Sequence, residues 1–182
     1  MIKPQDIVVL AKLLAYKTNK DWSQNSIASE LCLSPSQINS AFKRLVEVGL
    51  ITPYYPPNKP KPILQACEEF FLHALKYVFP AKLGELSRGI PTSYAAPVLS
   101  EQIVAGSDPI PVWPYGEGTE RGLALQPLYP SVPESIAKHP DPLFYDLLTL
   151  IDAIRSGRVR EKQIAAQKIS TILKTNKFVP NA

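Results

Sequence analysis

A chain of 182 residues, 45% hydrophobic and 20% charged, has enough apolar material for a core, which excludes a wholly disordered protein. Two cysteines, Cys32 and Cys67, exclude a disulfide framework, and both fall at apolar helix positions that suit a small buried hydrophobe. No apolar run approaches the ~20 residues of a membrane helix, and Met1 to Asp6 is too polar for a secretory signal, so a reducing, cytoplasmic setting is expected.

The formal net charge of +4 is unevenly placed. Residues 1–62 carry eight Lys/Arg (Lys3, Lys12, Lys17, Lys20, Lys43, Arg44, Lys59, Lys61) against four acids, while 63–182 carry twelve of each. The bias is small, and its sign favours a polyanionic partner for the N-terminal part.

Residues 4–18 read as the first helix. Pro4 suits its first turn, Asp6 complements its dipole, and Ile7, Val8, Leu10, Ala11 and Leu14 form its apolar stripe. Asn19 to Trp22 turns the chain, and Ser23 or Asn25 caps a second, short helix with Ile27, Ala28 and Leu31 on its buried side. Cys32 and Leu33 make a brief turn. Ser34 is then an N-cap, Pro35 a first helical residue, and Ile38, Ala41, Phe42 and Leu45 repeat at helical spacing until Gly49, placed for a left-handed C-cap. The opposite face of this third helix carries Ser36, Gln37, Asn39, Ser40, Lys43 and Arg44. Amides and hydroxyls pair with base edges, and Lys and Arg neutralise phosphate, so the face suits DNA.

In LITPYYPPNKPKPIL, residues 50–64, the prolines forbid a helix and allow strands only at an edge. Strand, basic tip, strand is the sequence form of a β-wing, with Asn58, Lys59 and Lys61 at its tip. Residues 64–79 form an amphipathic helix on Leu64, Cys67, Phe70, Phe71, Ala74, Leu75 and Val78. From Pro80 to Pro142, eleven prolines make regular helix unlikely, and GIPTSYAAPVL and SDPIPVWPYGEGTERG read as irregular chain. Arg121 to Tyr129 alternates enough for one short edge strand. Apolar residues such as Tyr94, Val112, Trp113, Tyr115 and Leu123 argue for an ordered layer draped over the helices. Pro133 opens a short helix. Asp141 and Pro142 begin a long one on Phe144, Leu147, Leu148, Ile151 and Ile154, stopped at Gly157, and 159–174 form the last, on Ala165, Ile169, Ile172 and Leu173.

SIASELCLSPSQINSAFKRLVEVGLI and the basic segment after it resemble the winged helix-turn-helix modules of bacterial transcription regulators, MarR-like in the broad sense. The resemblance covers residues 1 to about 78. It implies a winged helix-turn-helix (three helices plus a β-wing) in 1–79; with the proline-rich loop layer read from the residues in 80–142 and the helical hairpin in 143–182, a mainly α protein is expected. Pro35–Val48 becomes the recognition helix. The expected DNA contacts are Ser34, Ser36, Gln37, Asn39, Ser40, Lys43, Arg44, Lys59 and Lys61. The implied function is a sequence-specific DNA-binding regulator, a repressor, acting as a homodimer on double-stranded DNA through helix 64–79 or the hairpin. The alternative is a winged-helix adaptor, or an antitoxin-like partner of another protein.

Catalytic chemistry finds little footing. His73 follows Cys67 by six residues, off the spacing of a same-face metal pair. GEGTERG at 116–122 lacks the lysine of a phosphate loop. Ser87-Arg88-Gly89 and Thr92-Ser93-Tyr94 read as turn chemistry, and Arg155, Arg158, Arg160 and Lys162 as a basic helix junction. Neither an enzyme nor a cofactor is expected.

Overall fold

The computed structural model describes residues 1–17 and 21–175. It is mainly α, with a small three-stranded mixed sheet in the middle of the chain. The expected turn at Asn19 lies outside the described residues.

Helix α1 (Pro4–Tyr16) is buried along most of its length because nearly every residue from Ile7 to Leu14 is apolar. Helix α2 (Gln24–Leu31) is capped by Ser23, whose Oγ accepts from Ser26 N at 3.0 Å while Ser26 Oγ accepts from Ser23 N at 2.9 Å. Cys32, at φ 52°, turns the chain toward α3 (Pro35–Glu47). Ser34 and Gln37 form the equivalent reciprocal cap on α3, at 3.2 and 2.9 Å. Gly49 ends α3 at φ 75°, as its position predicts, and Leu50 N then donates to Leu45 O at 2.9 Å.

The expected β-wing is not formed: among the described residues the strands lie in the mid-chain sheet, and none falls within 50–64. Residues 51–62 double back through Thr52 N to Lys61 O at 2.8 Å, but pair only as single bridges, Ile51 with Pro62 and Tyr55 with Asn58. Five prolines in ten residues remove the donors a ladder needs. Ile63 is not strand but the residue preceding the next helix. That helix runs as α4 (Leu64–Glu69), a π-turn at Phe70–Ala74, and α5 (Leu75–Val78). It buries Cys67, Phe71 and Leu75 and leaves Tyr77 and Val78 exposed.

The sheet comprises β1 (Leu83–Pro91), β2 (Pro111–Pro114) and β3 (Glu120–Leu125). β1 is antiparallel to both of the others, and β2 runs parallel to β3, so each strand touches the other two. GIP and PVWP therefore belong to strands where irregular chain is expected. Glycine permits the closure: a Cβ at Gly89 would stand 1.9 Å from Trp113 O, and one at Gly122 1.9 Å from Ile110 O. A 3₁₀ turn (Ser93–Ala95) and the short α6 (Pro97–Ser100) join β1 to the loop before β2.

Helices α7 (Val132–Lys138), α8 (Pro142–Ser156) and α9 (Val159–Thr175) complete the chain. Asp141 caps α8, accepting from Phe144 N at 3.2 Å. α8 is buried from Leu147 to Ile154 and packs on α1, α5, α6, α9 and the 3₁₀ turn. One apolar cluster consequently runs from Ile7 through Trp113 to Leu173, across all three expected segments.

Two buried charge clusters brace this core. Lys12, 1% exposed, places Nζ 2.8 Å from Glu30 and 2.9 Å from Asp141, over the Phe144 ring at 4.8 Å. It thus ties α1 and α2 to the start of α8. Asp152 accepts from Thr92 Oγ1 at 2.8 Å, Trp113 Nε1 at 2.7 Å and Arg155 Nη1 at 2.7 Å, holding the sheet to α8. Burial pushes the Asp152 carboxyl up, against the pull of Arg155 and the two neutral donors.

Candidate nucleic-acid interface

Helix α3 stands on α1 and α2 through Ile38, Ala41, Phe42 and Leu45, with Trp22 against Phe42 at 5.6 Å between ring centroids. Its outward side presents Ser36, Asn39 and Lys43 exposed and Ser40 half-buried. These four lie at i, i+3, i+4 and i+7 and make one stripe about 10 Å long. A major groove is about 12 Å wide and admits an α-helix, and this stripe is the side that α3 would turn toward its base edges.

Four of the residues expected on DNA are engaged elsewhere. Arg44 reaches inward, with Nε and Nη2 each 2.7 Å from an oxygen of Asp6, which is fully buried. The same carboxylate accepts from Lys3 N at 2.7 Å, so Arg44 braces α3 on α1 and is not positioned for phosphate. The Gln37 amide is consumed at both ends: Oε1 accepts from Ser34 N, and Nε2 donates to Tyr129 Oη at 3.0 Å. Bidentate reading of a base by Gln37 is therefore excluded in this arrangement. Ser34 spends its hydroxyl on the cap. Lys59 is drawn back to the turn before α2, 2.5 Å from Asp21 Oδ1, bonded to Trp22 O and lying over the Trp22 ring at 5.1 Å. Lys61 is exposed at the hairpin, where its backbone N–H donates to Thr52 Oγ1 at 3.0 Å.

The surroundings of α3 hold residues whose place beside it no local pattern signals. Helix α7 docks beside the α2–α3 turn, where Ser135 Oγ donates to Glu30 O at 2.6 Å. The Cys32 thiol is raised first by burial and then by Glu134, with Lys138 opposing, which places an acid–base pair near that turn. Tyr54 and Tyr55 stand exposed at the hairpin tip. The Tyr-Tyr-Pro-Pro run was the available signal for that tip. Nothing local signals Tyr129, since its partner Gln37 lies 92 residues away.

The basic junction near Gly157 is divided. Arg155 is 4% exposed and turned inward, donating to Asp152 and to Phe79 O at 2.8 Å, while Arg158 and Arg160 are exposed. Among the described residues, no three His, Cys, Asp or Glu side chains gather as a metal site requires, and no helix is long and apolar enough to cross a membrane.

Comparison with protein-family models, with curated proteins and with solved structures finds no match to this chain.

Proposed function

We propose that the protein is a sequence-specific DNA-binding regulator whose reader is α3. The observation that carries this reading is the outward stripe of exposed Ser36, Asn39 and Lys43 with half-buried Ser40, polar and acid-free until Glu47 and mounted on a helix held rigid from behind. Asn39 is the base reader, because its amide alone on the stripe offers the bidentate pattern that adenine accepts. Lys43 neutralises phosphate. Gln37, Arg44 and Lys59 position these elements and do not touch DNA.

One short reader contacts few base pairs, so useful affinity calls for two copies about 34 Å apart. The exposed Tyr77 and Val78 at the end of α5 make that end the candidate two-fold contact. The last hairpin spends Ala165, Ile169 and Leu173 inside its own molecule. A second reading, a protein-docking adaptor, is favoured by one feature, the exposed aromatic tip at Tyr54 and Tyr55.

Fluorescence anisotropy on labelled genomic fragments, with salt varied, separates the two. Lys43→Ala is expected to weaken all duplexes alike and to flatten the log–log salt slope by about 1. Asn39→Ala is expected to cost about 1–3 kcal/mol on the preferred site alone. If the intact protein binds duplex no better than a neutral control at ~50 mM salt, DNA reading is wrong.

A further inference from the structure

Away from α3, the mid-chain sheet, the loop before β2 and the α8–α9 junction line a half-open cavity of about 310 Å³. That volume is at the lower end of the range of small-molecule sites, about 300–1,000 Å³. Ile103 and Leu123 supply apolar wall, while Ser93, Tyr94, Asp108, Arg158 and Glu161 supply the polar groups.

Ser93 is the informative residue. It is 1% exposed, sits in the left-handed region at φ 52°, and its hydroxyl has no hydrogen-bond partner among the described residues. Its neighbour Thr92, equally buried, donates to Asp152. The Ser93 oxygen is not among the fully enclosed side-chain atoms of the described residues that lack a partner, so it opens on the cavity, and the left-handed non-glycine backbone beneath it costs stability. A polar atom in the cavity would satisfy that hydroxyl.

The charges select the kind of ligand. Two carboxylates, Asp108 and Glu161, face one guanidinium. Arg158 lies 3.7 Å from Asp108 with both side chains largely exposed, and Glu161 accepts from Arg158 N at 2.8 Å. The Tyr94 hydroxyl feels the balance: its pKa is raised by burial, then by Glu161 and Asp108, with Arg158 opposing. An anion entering here meets more negative than positive charge.

We propose that this cavity binds a small amine with an apolar body. The ammonium sits against Asp108 and Glu161 and donates to Ser93 Oγ, and the apolar part rests on Ile103 and Leu123. The inference is independent of α3, and a DNA-binding assay containing no amine leaves it untouched.

Titration of ¹⁵N-labelled protein tests it, with 2-phenylethylamine as the probe and 3-phenylpropionate as its charge-reversed control. The amine is expected to move the Ser93, Tyr94, Ile103 and Leu123 amides saturably, with a dissociation constant of about 1 mM or below. The carboxylate is expected to leave them in place. The doubly neutral variant Asp108→Asn, Glu161→Gln, which keeps the acceptor for Arg158 N, should bind the amine about tenfold less tightly. Ser93→Gly should melt at a higher temperature, through relief of its backbone, yet lose about fivefold or more in amine affinity. The proposal is overturned if the amine leaves these amides unmoved at ~10 mM, if the carboxylate binds as tightly, or if Ser93→Gly binds as the parent does.

Discussion

Arg44→Ala distinguishes a buried brace from a phosphate contact. Removing the guanidinium deprives the Asp6 carboxylate, fully buried, of two of the three donors it accepts from, and leaves Lys3 N alone. Breaking a buried pair on one side costs about 3–5 kcal/mol. Arg44 retains 17% exposure, so water can follow the vacated side chain to Asp6, and about 2–4 kcal/mol is the expected loss. For a chain of this length that is a fall of about 5–15 °C in melting temperature. Urea titrations with linear extrapolation supply the free energies, and a cycle with Asp6→Asn should return a coupling of about 1.5 kcal/mol or more. Replacing the pair by Asp6→Leu with Arg44→Met should recover most of the stability, because the penalty lies in the orphaned charge. The reasoning is refuted if Arg44→Ala stays within about 0.5 kcal/mol of the parent while the salt slope on DNA falls by about 1.

Gly122→Ala should destabilise by about 1–3 kcal/mol or more, since the new methyl would meet Ile110 O at 1.9 Å, whereas Gly116→Ala, with nothing within 4 Å, should be neutral in the same melts. Asp146 titrates above the usual carboxyl range because burial outweighs Lys168. Its folded form prefers the proton, so the stability it contributes is present in acid and is lost as pH rises through the raised value. Asp146→Asn should therefore match the parent at about pH 3 and melt above it at about pH 7, and a lower melting temperature at about pH 7 would show that Lys168 dominates.

Local structure was legible in the sequence wherever its causes lie within one or two helical turns. Ser23 and Ser34 cap their helices through residues three positions on, Gly49 stops α3 at its own φ, and the stripe Ile38, Ala41, Phe42 and Leu45 places the buried face of α3. The same rules marked Asp141 as the start of α8 and Gly157 as its end. They also predicted an ordered middle, since its apolar side chains needed cover. What the exposed-looking polar residues would do was not legible, because periodicity says which face a residue occupies and not which partner it meets. Arg44 finds Asp6 across 38 residues, Lys59 finds Asp21 across 38, and Gln37 finds Tyr129 across 92. The three strands followed the same logic. Proline-bearing segments carry weak strand signals, and only the closure of β1 on both β2 and β3, through glycines with no room for a Cβ, turns them into a sheet. The sequence alone determined the longer helices, their caps and the candidate reading face, but not the short turns of helix at Ser93–Ala95 and Pro97–Ser100. Tertiary packing decided which side chains on that face remain available, because ion pairs and hydrogen bonds join whichever donors and acceptors the fold brings within about 3 Å.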